Sequence, residues 1–414
     1  MALSFEERQP SSTATQERFH SLDTVRACAL LAGIVLHASM PFLPGFREIG
    51  WPISDTSTNA GMGILYFVIH LFRMTLFFII AGFFARVLHQ RLGSKGLMKN
   101  RLKRIGLPML AAFMFIMPLS IIPFIWAARQ LGIQGPPKME FPVPVIGPMI
   151  PLGHLWFLYM LLVIYALVLA ARSVFVFFDK NNSIRNTITR LVTSCFKTRI
   201  IVFFLASPLA LVLFFASWWV QWQGIPLPIV GLVPNFPAVL AFVSAFLIGW
   251  LLHKQQDCLR MLAADWPLYF VGTAAGTVIA LFVAGIKPNF YVIQLDTSAR
   301  AIYAAAYTFA EWCGAFAAIG LAVRYIKIPN AKWRYLADAS YWMYLVHIPI
   351  LWGLQAWMLQ WPLNWSAKFI LSLSITSLLL LASYHYLVRS TFLGKFLNGK
   401  KYPRVKASIQ AAEN

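Results

Sequence analysis

The sequence predicts an all-α, polytopic transmembrane helix bundle of about ten spans, with both termini cytoplasmic. Three observations predict it. First, 59% of the 414 residues are hydrophobic and only 12% charged, with a mean hydropathy of +0.67. A water-soluble domain is about half apolar and about a quarter charged, so this chain cannot cover itself with polar surface, which excludes one large soluble globule. Second, the apolar residues fall into ten runs, most of them close to the roughly 20 residues that a span requires. Third, of the 35 Lys and Arg, 27 fall on one alternating set of segments (Arg172, near the end of its run, counted with the segment that follows) and five on the other (Arg300, first in its run, counted with the segment before), while Arg26, Arg73 and Lys368 lie within the spans. That asymmetry is the one that orients membrane proteins.

The first run, 24–43, follows a polar segment carrying both charge signs, with no basic-then-apolar stretch ending at a small-residue cleavage site. It is expected to act as an uncleaved signal anchor. The second run, 62–85, is Phe-rich, and a basic inner loop (86–104) follows it. The third, 105–127, contains Pro118 and Pro123, which membrane helices tolerate where neighbours satisfy the freed backbone. A Pro/Gly-rich stretch (132–151) leads to runs at 155–178, 200–222 and 236–252. The last four are 266–285, 300–323, 339–360 and 367–388. No repeat of fixed period is visible. One membrane domain, 23–390, is expected between cytoplasmic tails at 1–22 and 391–414, the latter too short for an appended soluble domain.

The net charge of +21 reads mainly as a topology signal rather than as a nucleic-acid footprint, and no nucleic-acid partner is expected. A second reading is that some inner basic residues grip an anionic cytoplasmic ligand. Cys28, Cys195 and Cys258 fall at or near the inner face and Cys313 within a span. No exported disulfide is therefore expected, and the spacings match no zinc pattern.

An ionisable residue inside the bilayer is costly, and by default it suggests a functional site. In the first run, Arg26 and His37 are eleven residues apart, a net offset of about 20°, so they share one face about 16 Å apart along the axis. Gly33 lies on that stripe and leaves open space below the imidazole, while Asp23 is placed to hold the Arg26 guanidinium. The alternative is interhelical hydrogen bonding by His37 and interfacial anchoring by Arg26. In the second run, His70 and Arg73 share a face, as either a buried tie or an anion-orienting pair. On the inner loop, Arg101 and Arg104 are either solvated positive-inside charge or a phosphate clamp suited to bidentate guanidinium bonds. His154 opens the fourth run, Glu311 lies mid-way along the eighth, and Tyr344 and His347 lie in the ninth, each with a packing role as its alternative. Trp156, Trp218, Trp219 and Trp222 are expected in an interfacial belt.

Together these strings resemble the acyltransferase-3 family of membrane acyltransferases. The resemblance rests on the Arg26/His37 spacing, on Phe77-Phe78-Ile79-Ile80-Ala81-Gly82-Phe83, and on Arg101-x-x-Arg104 followed by Pro108. His154-Leu-Trp-Phe-Leu and Ser340-Tyr-x-x-Tyr-Leu-x-His347-x-Pro349 complete it. It spans roughly residues 18 to 390. Within the family, His70-Leu-Phe-Arg73-Met74 and Arg104-Ile-Gly-Leu-Pro-Met-Leu are most similar to the periplasmic-glucan succinyltransferase branch.

The resemblance implies transfer of an acyl group, succinyl or acetyl, from cytoplasmic acyl-coenzyme A to a hydroxyl of an extracytoplasmic glycan. It also implies an inner-membrane location, no permanently bound cofactor and no metal. Arg101 and Arg104 would hold the donor phosphates, with Arg26 nearer the thioester and His37 as general base. Arg73 or His70 would stabilise the oxyanion, or Arg73 would pair with a succinyl carboxylate. Direct transfer and an acyl-histidine intermediate both remain open, as does a homo-oligomeric state. The alternatives are O-acetylation of another exported polysaccharide or lipid-linked glycan and, from a different class, a secondary transporter.

Overall fold

The computed structural model describes residues 12–132, 145, 147–328, 330–398 and 402. Parts of the two expected tails (1–11 and nearly all of 399–414) and most of the Pro/Gly-rich stretch, with Lys138, lie outside them. Among the described residues the architecture is all-helical, with no strand beyond one isolated bridge between Pro151 and Val230.

Among the described residues twelve α-helices follow in chain order: α1 (Ser12–Ser39), α2 (Ala60–Arg101), α3 (Leu107–Gln130), α4 (Trp156–Phe178), α5 (Ser183–Lys197), α6 (Ile201–Phe215), α7 (Phe236–Lys254), α8 (Gln256–Ala284), α9 (Thr297–Tyr325), α10 (Ala331–Met358), α11 (Trp365–Ser383) and α12 (Phe392–Asn398). Each of the ten apolar runs falls on one of them. The starts of α2, α7, α9, α10 and α11 are marked by Asn59, Asn235, Asp296, Asn330 and Asn364, whose side chains accept a first-turn N–H.

Among the described residues, seven segments are long and apolar enough to cross a membrane, or eight if the α5–α6 pair, bent by 105°, counts as one. One of the seven is the 71-residue stretch Ala60–Gln130, which holds two of the expected spans. α6 alone is short, at 15 residues, and α10 is diluted by Lys332, Arg334, Asp338 and His347. The basic inner loop expected at 86–104 is largely helix instead. α2 runs through it, breaking only at Gly93 (φ 67°), where a left-handed backbone suits a residue without Cβ. A π-helical turn, Leu102–Gly106, joins it to α3.

α2 packs on α7, α8 on α9, and both α1 and α3 on α10. The α2–α7 contact depends on small residues, as membrane helices do when close packing replaces the hydrophobic effect. A Cβ on Gly82 would lie 1.9 Å from the Phe246 carbonyl oxygen, and one on Gly249 1.8 Å from that of Ile79.

The tryptophan belt expected from the sequence is not what forms. Trp156, Trp219 and Trp222 are buried and only Trp218 is partly exposed. The segment after α6 folds inward against α9, where Trp219 Nε1 donates to Gly224 O (2.7 Å) and Tyr303 Oη donates to Gln221 O (2.7 Å). The Trp219 tip, satisfied by a backbone carbonyl, has no need of the interface, whereas Trp222 Nε1 is buried without a hydrogen-bond partner.

Lys368 opens α11 as a buried cation and meets Asp55 at 2.6 Å, with side chains 4% and 2% exposed. Removing one partner strands the other charge, so Lys368→Met is expected to destabilise the protein by about 3–5 kcal/mol. Lys368→Met combined with Asp55→Leu should recover most of that loss. Thermal unfolding in detergent checks both.

Candidate active site

The bundle encloses a cavity of about 1530 Å³. Its lining begins at Arg101, Arg104 and Asp338, passes Arg26, Gly33, His37, His70, Arg73, His154, Tyr344 and His347, and ends at Glu48, Trp51 and Tyr291. Typical small-molecule sites are about 300–1000 Å³, so this one exceeds the usual range.

Three imidazoles from three elements meet within it. His37, near the end of α1, lies with its ring centroid 5.2 Å from that of His347 on α10. His347 in turn lies 5.6 Å from His154, in the short turn before α4. Backbone carbonyls only accept hydrogen bonds, so they fix two tautomers. His347 Nδ1–H donates to Tyr344 O (2.7 Å), leaving Nε2 with its lone pair. His154 Nε2–H donates to Leu345 O (3.2 Å), leaving Nδ1 free to accept. His37 Nδ1 is 3.3 Å from Met40 Sδ, a weak acceptor. Tyr344 is held by its hydroxyl, which donates to His154 O (2.5 Å).

Arg73 supplies the positive charge at this level. The space left by Gly33 is not empty, as the sequence suggested: a Cβ there would lie 2.0 Å from Arg73 Nη1. The guanidinium lies over α1 about one turn from His37. Arg73 Nε is buried with no hydrogen-bond partner, and no carboxylate pairs with this arginine among the described residues. His70, one turn earlier on α2, stacks on Tyr66 (5.3 Å, 9°). Tyr66 was absent from the sequence candidates, although its four-residue spacing from His70 was the signal that places both on one face.

At the other end of the cavity Arg26 Nη2 is 3.2 Å from Asp23 Oδ1, and its guanidinium lies 5.9 Å from the Phe84 ring centroid. Arg101 lies over the Tyr165 ring (5.1 Å). The Arg104 carbonyl accepts from Tyr341 Oη (2.9 Å), which ties the π turn to α10. Tyr165 had no signal in the sequence beyond its place in an apolar run. Glu311 is not brought to the others. It is fully buried in α9, accepts a hydrogen bond from Thr75 Oγ1, and is absent from the cavity wall. No three His, Cys, Asp or Glu side chains are placed to hold a metal ion together among the described residues.

A bundle of long apolar helices around a cavity lined by ionisable groups defines a polytopic membrane protein with a polar interior site. The chain belongs to the acyltransferase family whose domain model, Acyl_transf_3 (acyltransferase domain), matches residues 19–384; it is a membrane acyltransferase. Its relatives include the glucans biosynthesis protein C of Salmonella heidelberg (strain SL476), 24% identical over 409 residues, covering 97% of this chain and 99% of the relative. The protein of the same name from Salmonella typhi shows the same identity and coverage. That of Shigella dysenteriae serotype 1 (strain Sd197) is 34% identical over 107 residues, 26% of each chain. No solved structure matches the chain.

Proposed function

We propose that the protein moves an acyl group from cytoplasmic acyl-coenzyme A to hydroxyls of an extracytoplasmic glucan, with succinyl as the favoured group. In this reading it spans the inner membrane ten times with both termini inside, and the Arg101/Arg104 end of the cavity faces the cytoplasm. The observation that carries it is the convergence of His37, His154, His347 and Arg73 in the same cavity that Arg101 and Arg104 line. The glucan acceptor is suggested by the names of the relatives.

Arg101 and Arg104 hold the donor phosphates through bidentate hydrogen bonds, and the slim pantetheine arm passes Arg26 to bring the thioester beside His37. The acceptor hydroxyl enters from the opposite end. His37 takes the hydroxyl proton as the oxygen attacks the thioester carbonyl, and Arg73 faces the oxyanion that forms. Collapse of the tetrahedral intermediate breaks the carbon–sulfur bond, and the proton returns from the imidazolium to the thiolate. His347 packs against the His37 ring, and His154 packs on His347 in turn.

Purified protein in proteoliposomes, given labelled succinyl-coenzyme A outside and glucan inside, should yield covalently acylated glucan by mass spectrometry. Arg101→Ala with Arg104→Ala should raise the donor KM by about tenfold or more, the loss expected for charge-assisted hydrogen bonds. Solute uptake without a covalent product would instead identify a transporter.

A further inference from the structure

The Arg101 end of the cavity continues beyond its wall. From Arg101 a row of rings runs outward, in which Tyr165 meets Phe246 (5.2 Å) and Phe246 meets Trp250 (6.4 Å). The row ends as it began, on an arginine, with Arg86 lying 5.2 Å over the Trp250 ring. The His89 ring also packs on Trp250, at 5.2 Å. Arg172, two turns beyond Tyr165 on the same face of α4, comes near enough to Arg86 and His89 for their charges to repel.

Three cationic or ionisable groups have therefore been gathered where repulsion opposes it. Arg185, also nearby, is compensated by Asp179. Its Nε is 3.0 Å from Asp179 Oδ2 and its Nη2 donates to Asp179 O (2.7 Å). That carboxylate also accepts from the N–H groups of Ile184 and Arg185, so it has little left for another cation. Neither Arg86 nor Arg172 has a carboxylate partner among the described residues, and Arg86 Nε is buried without any hydrogen-bond partner. Neither arginine lines the main cavity.

We propose that Arg86 and Arg172, with His89 and the face of Trp250, form a second anion site that holds a phosphate group. Paired guanidinium forks match phosphate oxygens, and Trp250 holds Arg86 in place beneath the ligand. Two sources present this chemistry. One is the headgroup phosphate of an anionic lipid, since basic pockets between helices on the cytoplasmic side take such headgroups. The other is the nucleotide-end phosphate of the acyl donor, reaching past Tyr165, and this source rests on the proposed function.

The experiment compares wild-type protein with Arg86→Gln/Arg172→Gln in detergent. One arm measures retention of phosphatidylglycerol against phosphatidylcholine by native mass spectrometry. The other measures affinity for coenzyme A against 3′-dephospho-coenzyme A by calorimetry. Loss of phosphatidylglycerol selectivity by about tenfold or more in the variant assigns the site to lipid. Loss of a wild-type preference for the 3′-phosphate assigns it to the donor. A folded variant that matches the wild type in both arms overturns the proposal. The lipid arm still decides if the chain takes no acyl-coenzyme A. If the double variant does not fold, Arg172→Gln alone, at a partly exposed position, serves in its place.

Discussion

His37→Ala is expected to abolish acyl transfer while leaving the bundle folded. The imidazole lies at the centre of the cavity, partly exposed to it, and its described partners are a thioether and neighbouring rings. Its described contact with α10 is the His347 ring alone, while the buried apolar residues of α1 carry the rest of the packing, so truncation removes mainly chemistry rather than structure. General-base catalysis contributes about 10²–10⁴-fold, and the loss should appear in kcat, with the donor KM close to unchanged. Steady-state transfer in proteoliposomes, beside a detergent melting curve, gives both readings. Full activity in a folded His37→Ala protein would remove the base assignment and pass the role to His347, whose Nε2 is the next lone pair in the cluster.

Arg73→Gln should lower kcat by about 10²–10³-fold, the usual effect of removing an oxyanion donor. Arg73→Lys should rescue little, because an ammonium lacks the planar fork. The seat of the guanidinium offers an independent test. Gly33→Ala places a methyl group 2.0 Å from the present position of Nη1, so the head must move, and activity should fall without any change to the arginine itself. Comparing donors separates the two roles. An oxyanion role costs succinyl and acetyl transfer equally, whereas pairing with a distal carboxylate costs succinyl transfer far more. A rate unchanged for both donors would leave Arg73 a packing residue.

Much of the site was legible in the chain because helical periodicity is local. Arg26 and His37 on one stripe, and His70 with Arg73 on one face, follow from about 100° per residue, and all four line the cavity. Each apolar run falls on a helix for the same reason, while α5 and α12 carry no run. What the chain left open or misread involved long-range partners. Glu311 read as a mid-span candidate with a packing role as its alternative, and it was Thr75 on α2, which donates to it away from the cavity, that gave it the packing role. The tryptophans read as an interfacial belt, yet Trp219 donates to the Gly224 carbonyl and packs on Tyr303 of α9, which draws its segment inward. The inner basic segment read as a loop because its charges hid a helix that only Gly93 interrupts.

By itself the sequence determined that this chain is helical and membrane-embedded, and which side chains share a helix face, since hydropathy and the 3.6-residue period depend on near neighbours alone. Only the tertiary structure decided that His154 and His347, 193 positions apart in the numbering, complete a cluster with His37. It likewise decided that the gap at Gly33 belongs to Arg73. Which faces meet is settled by close packing of side chains from distant segments, and no local pattern in the chain encodes that choice.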